Sequence, residues 1–224
     1  MLVVASLVHL AHAQQPTKLK ILALHGYAQN GAILRDRSGG FRKPFKKSRF
    51  EVVYAGGQFG CTANGEDEEE ADADETRRAW WRGHSGQDTY VGWGESRAQL
   101  HALWARERCD GVLGFSQGAA AAAMLCADLC ASPQRPQFGI FVSGFVPRDQ
   151  LAAEALLVGV SGLPSLHVCG AADELVVSGR SLALAALFTD ATVVEHPGGH
   201  CLPSGSTVRK EVATWVQGAV LQQE

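Results

Sequence analysis

Gly111-Val112-Leu113-Gly114-Phe115-Ser116-Gln117-Gly118-Ala119-Ala120-Ala121-Ala122-Ala123-Met124-Leu125 is the stretch whose reading decides the fold. It predicts a buried strand, a tight turn and a helix, with Ser116 at the apex. The glycines two residues either side of Ser116 have a steric job. So sharp a turn holds its apex in a strained backbone conformation, and a side chain at 114 or 118 would collide. Ala119 to Ala123 are strong helix formers, small enough to let the helix lie close to the sheet. The serine oxygen then stands clear of the sheet beside a helix N-terminus, where backbone N–H groups favour developing negative charge.

This is the G-x-S-x-G pattern of a nucleophile elbow. In a chain with 25 glycines the pattern alone is weakly specific, so its partners matter. A serine nucleophile needs a base, and the base needs an orienting carboxylate. In this class they follow in the order Ser, Asp or Glu, His. After Ser116 the histidines are His167, His196 and His200. His167 lies in the strand-like Leu166-His167-Val168-Cys169 and reads as a satisfied, half-buried histidine. His200 sits in a Pro-Gly-Gly loop after Thr192-Val193-Val194-Glu195, which suits an imidazole reaching over a sheet edge. It is the expected base, with His196 the alternative. Asp173 follows the strand Ser165 to Cys169 and lies just beyond its carboxyl end, where open α/β sheets place their chemistry. It is the expected carboxylate. Glu174 could replace it after a one-residue shift, and Asp190 reads as a turn residue on the opposite rim.

An oxyanion hole needs two N–H donors. One is the amide of Gln117, the residue after the nucleophile. The other is expected from the loop after the first strand, Lys20 to Leu24. There Gly26 permits close backbone approach, which makes Tyr27 the second donor. His25 reads as structural, its ring holding the loop by hydrogen bonds.

Together these residues carry a resemblance. Leu24-His25-Gly26-Tyr27-Ala28-Gln29-Asn30, Arg35 to Lys43, Trp80-Trp81, Gly114 to Ala120, Val142-Ser143-Gly144-Phe145 and Gly198-Gly199-His200 resemble the FSH family of serine hydrolases. The likeness spans Lys18 to about Val216. It implies the fold of acyl-protein thioesterases and lysophospholipases, carboxylesterase-like activity, and Ser116, Asp173 and His200 as the triad. Two departures stand out, the acidic segment Cys61 to Glu75 and the plain Ala171-Ala172 turn before Asp173. Neither touches the triad; both bear on substrate choice.

The rest of the chain fits one α/β-hydrolase domain over residues 18–224, after an N-terminal extension of residues 1–17. The expected architecture is a mostly parallel sheet with helices on both faces and little or no lid. Strands read at Lys20–Leu24, Phe50–Tyr54, Gly111–Phe115, Gly139–Ser143, Ser165–Cys169 and Thr192–Glu195. Helices read at about Ala32–Lys46, Ser96–Arg108, Gln117–Ala131, Ser178–Phe188 and Thr207–Leu221. Gly56 to Gly94 is the main irregular insert, and its Glu66 to Glu75 run reads as a solvated loop. Arg35, Arg37, Arg42, Lys43, Lys46, Lys47 and Arg49 read as a polar helix face, or as attraction for anionic substrate groups. Of the adjacent Trp80 and Trp81, one is expected in the core and Trp81 in the acyl pocket, with Phe145, Val176 and Leu202 as further pocket candidates that read equally well as ordinary core.

Composition narrows the partners. A net charge of −3 gives no general attraction to nucleic acid. Leu2 to Leu10 is too short to span a membrane, so no integral membrane association is expected. Ala11-His12-Ala13 fits a cleavage site, which makes secretion the alternative to a cytoplasmic location. No cofactor and no metal are expected. There is no C-x-x-C, Cys126 and Cys130 lack a second pair, and Pro197-Gly198-Gly199 breaks any helical spacing among His196, His200 and Cys201. The six cysteines read as buried reduced thiols. The expected partner is a small-molecule acyl ester or thioester; oligomeric state is not written in the sequence. A non-catalytic binding or scaffold protein is the competing reading, disfavoured by the intact Ser, Asp and His. A peptidase ranks lower, because no peptide-binding domain is recognisable.

Overall fold

Continuous apolar runs such as Lys20-Ile21-Leu22-Ala23-Leu24 suit strands covered on both faces, and that is where they lie. The computed structural model describes residues 18–46, 49–61, 77–83 and 88–221. The N-terminal segment, Lys47 and the acidic run Glu66 to Glu75 fall outside the described residues. In chain order the strands are β1 (Leu19–Leu24), β2 (Phe50–Ala55), β3 (Phe59–Gly60), β4 (Arg78–Ala79), β5 (Arg82–Gly83), β6 (Tyr90–Val91), β7 (Gly111–Phe115), β8 (Phe138–Val142), β9 (Ser165–Gly170) and β10 (Ala191–His196). Six of them form one parallel sheet in the order β10-β9-β8-β7-β1-β2.

Helices cover both faces. They are α1 (Gly31–Arg37), α2 (Trp93–Glu107), α3 (Gln117–Leu129), α4 (Glu154–Leu157), α5 (Ser178–Ala185) and α6 (Ser206–Trp215), the last running into a π-helical turn at Val216–Val220. Strand alternation divides the core in two. Leu22 and Leu24 face the side of α2 and α3, with Leu100, Trp104 and the fully buried Ala119 to Ala123. Ile21 and Ala23 face the side of α1 and α6, with Leu34, Val212 and Trp215. The alanine run lets α3 sit tight on β7 and β8. No helix among the described residues is long and apolar enough to cross a membrane.

The expected parallel sheet is observed, and the differences are local. The first helix stops at Arg37 instead of reaching Lys46, because Ser38-Gly39-Gly40 are poor helix formers; a series of turns follows. The side chain of Asn30 caps its start, accepting from the Ile33 N–H at 2.8 Å. The insert is not wholly irregular: β3 pairs with β4 and β5 with β6, and Arg78 bridges to Gln29. His167 is fully buried between Phe141 and Phe188 rather than half-buried. Its Nε2 meets Ser165 Oγ at 3.2 Å, whereas Nδ1 has no partner among the described residues. Burial pushes this imidazole down to about 3. All six cysteines are free, but Cys201 is exposed and Cys130 partly so.

The topology positions the site. The chain leaves β1 for β2 on one side and returns for β7 on the other. The loops after β1 and β7 therefore part at the carboxyl ends of neighbouring strands and leave a crevice. The loops after β9 and β10 rise from the same rim.

Candidate active site

Ser116 caps α3 with φ 55° and ψ −121°, a left-handed conformation for a residue with a side chain. Neighbours enforce it. A Cβ at Gly114 would run into the backbone of Gly118 and Ala119, and one at Gly118 into the carbonyls of Leu24 and His25. Strand, helix and the β1 loop thus pack backbone against backbone, and only glycine fits.

Three expected residues come together on this elbow. His200 Nε2 lies 3.0 Å from Ser116 Oγ, and His200 Nδ1 lies 2.8 Å from Asp173 Oδ2. An ionised carboxylate only accepts, so Nδ1 carries the proton and Nε2 offers its lone pair to the serine. Asp173 itself is buried and fully bonded. Its Oδ1 accepts from the N–H groups of Leu175 at 3.0 Å and Val176 at 2.8 Å. Its Oδ2 also accepts from Ser143 Oγ at 2.9 Å. Burial alone would raise this carboxyl, but the Val176 N–H, His200 and Ser143 outweigh it and hold the group below the usual carboxylate range.

The competing candidates stand elsewhere. His196 is buried at the end of β10 and accepts from the Gly198 N–H at 3.2 Å. Glu174 is exposed. Asp190 lies on the opposite rim, where its carbonyl accepts from the Ser165 N–H at 3.0 Å.

Ser116 opens into a cleft of about 800 Å³, and Tyr27 and Gln117 line it beside the serine. The Gln117 N–H, at the first position of α3, has no acceptor among the described residues. The Gln117 side chain ties the elbow to the insert: Oε1 accepts from the Trp80 N–H and Nε2 donates to the Trp81 carbonyl, both at 2.9 Å. His25 does similar work. Its Nε2 accepts from the Gly57 N–H and its Nδ1 donates to the Gly26 carbonyl, both at 2.8 Å. Its ring stacks on the fully buried Trp80, and burial pushes the imidazole down to about 4. It stays neutral, as two neutral-ring hydrogen bonds require.

Of the expected pocket residues, Trp81, Phe145 and Val176 line the cleft. Trp81 stacks on Tyr90 with centroids 4.7 Å apart. Leu202 does not line it. It packs on the α1 and α6 side of the core and borders a separate recess of about 320 Å³ with Arg37, Phe115, His200 and Cys201. Among the described residues, Arg37 borders that recess, the rest of the basic cluster around α1 does not line the cleft, and the arginines that line it are Arg148 and Arg180. Sequence reasoning missed these two, and it missed the hydroxyl of Ser143. Ser143 carried a usable signal, a polar residue at the carboxyl end of a central strand. Nothing in the sequence marked the Gln117 side chain. Among the described residues no group of three or more His, Cys, Asp or Glu forms a metal-binding cluster.

Known proteins similar to this chain are serine hydrolases and esterases. The model of the family described as serine hydrolase (FSH1) matches residues 14–212. An esterase of Aedes aegypti is 35% identical over 205 residues, covering 87% of this chain and 74% of its own. The esterase OVCA2 of Homo sapiens is 34% identical over 217 residues, covering 88% and 94%. The crystal structure of Zea mays acyl-protein thioesterase 2 superposes with a TM-score of 0.64 over 90% of this chain and 94% of its own, at 19% identity. That last likeness speaks for the fold.

Proposed function

The chain belongs to the FSH1 family of serine hydrolases, and from that premise we propose that it cleaves carboxylic esters or thioesters with acyl-chain substrates through an acyl-enzyme. The observation that carries this reading is the unbroken chain of hydrogen bonds from Ser116 Oγ through His200 to the buried Asp173. Relatives named as esterases support the ester chemistry.

In this mechanism His200 Nε2 takes the Ser116 proton as Oγ attacks the acyl carbonyl. The amides of Gln117 and Tyr27 hold the oxyanion. The tetrahedral species collapses, and the leaving alcohol or thiol departs with the proton from His200. Water then attacks the acyl-serine by the same route, giving the free acid and restoring Ser116. Asp173 fixes the imidazole tautomer. Ser143 acts on Asp173 rather than on substrate, and is a positioning residue. Trp81, Phe145 and Val176 supply the apolar wall for the acyl chain.

The test is turnover of an acyl ester and thioester series by wild type and Ser116→Ala. Loss of roughly 10⁴-fold to 10⁶-fold in kcat is expected for the variant. A variant that keeps near-wild-type turnover would end this account.

A further inference from the structure

Among the described residues, the cleft beside Ser116 carries positive charge: Arg148 and Arg180 line it, and no described Asp or Glu does. Both arginines are exposed, and neither joins an ion pair among the described residues. Arginines on a surface are commonly paired or simply solvated, so their setting is the informative part. The Arg180 guanidinium lies over the face of Phe145, 4.6 Å from the ring centroid. That contact orients the planar fork without using its hydrogen bonds. Arg148 is held at its backbone, whose N–H donates to Tyr90 Oη at 2.9 Å, and Tyr90 is itself stacked on Trp81. Two acids close in sequence are already engaged. Asp149 is buried and accepts from the Tyr90 and Ala152 N–H groups. Asp173 is consumed by His200, Ser143 and two backbone amides.

We propose that this cleft selects substrates that bear an anionic group, with Arg180 as the main specificity determinant and Arg148 as a second contact. The inference rests on the hydrolase reading and narrows it. The substrate would be an ester or thioester carrying a carboxylate or phosphate, its apolar portion against Trp81 and Val176 and its anion at the oriented guanidinium. A planar fork with free donors matches such an oxyanion in two hydrogen bonds. Because the arginines are exposed, the attraction is moderate and screened by salt.

The test separates binding from turnover. Ser116→Ala protein is titrated with monoethyl esters of the diacids succinate through suberate, and with ethyl esters of the monoacids of matching length, reading tryptophan fluorescence. A second arm uses acyl esters of glycolic acid, which move the anion to the alcohol side. The expected result is roughly threefold to tenfold tighter binding of an anionic ester than of its neutral partner in at least one arm. Which arm responds tells whether the anion belongs to the acyl or the leaving group. Arg180→Gln should erase most of the difference, Arg148→Gln a smaller part, and high salt all of it. Neutral esters binding as well as the anionic ones at every length would overturn the proposal, as would a preference that survives both arginine substitutions. Failure of the hydrolase reading looks different: wild-type protein with intact Ser116 would turn over no ester, whatever its charge.

Discussion

The elbow at Ser116 and the cleft wall opposite it are built by different means. The elbow is a backbone device: Gly114 and Gly118 are required because carbonyls and Cα atoms fill the space where a Cβ would stand. The wall is a side-chain device. Trp81, Tyr90, Phe145 and Arg180 come from distant segments and are fixed by stacking and by single hydrogen bonds. A backbone device tolerates almost no substitution, whereas a side-chain device can be rebuilt one residue at a time. In the proposed mechanism, reaction type is thus set at the elbow and substrate choice at the wall.

The largest effect should come from breaking the elbow. Gly118→Ala forces a methyl against the Leu24 and His25 carbonyls. It should cost more than about 3 kcal/mol in urea-induced unfolding. A loss under about 1 kcal/mol would mean that the close packing of α3 on the β1 loop yields easily.

Gln117→Ala tests the link between the two regions. It leaves the Gln117 backbone amide in place but strips two buried backbone groups, the Trp80 N–H and the Trp81 carbonyl, of their partner. The expected cost is about 2 kcal/mol of stability, with KM rising more than kcat falls as the wall loosens. Loss confined to kcat would place the damage at the elbow and contradict the division drawn above.

The smallest effect concerns Ser143, which sits at φ 49° with its hydroxyl on Asp173. Ser143→Ala should lower kcat about tenfold and leave KM nearly unchanged, because the hydroxyl bonds Asp173 and Ser143 does not line the cleft. Ser143→Gly loses the same hydroxyl but relieves the left-handed strain. It should be about 1 kcal/mol more stable than Ser143→Ala and equally slow. Equal stability of the two variants would remove strain from the explanation.

How far the sequence was legible follows the same division. Gly114-Phe115-Ser116-Gln117-Gly118 is local, so its residue types state its geometry, and the parallel sheet follows from apolar runs alternating with helical ones. Asp173 and His200 were readable from their places just past strand ends. Leu202 read equally as pocket or core, and it packs on the α1 and α6 side of the core; a residue type in a loop does not say which way its side chain turns. Arg148 and Arg180 escaped because their place depends on how the loop after β8 meets the start of α5, which no spacing records. The early end of α1 at Arg37 was in the sequence, in Gly39-Gly40.

The central claim is that Ser116 is a nucleophile activated by His200. The most direct measurement is intact-mass analysis after treatment with a fluorophosphonate, on wild type, Ser116→Ala and His200→Ala. The account predicts one stoichiometric adduct on wild type that maps to Ser116. Ser116→Ala should carry none, and labelling of His200→Ala should be slowed by roughly a thousandfold or more. A folded wild-type protein that takes up no label, or an adduct mapping away from Ser116, would contradict it.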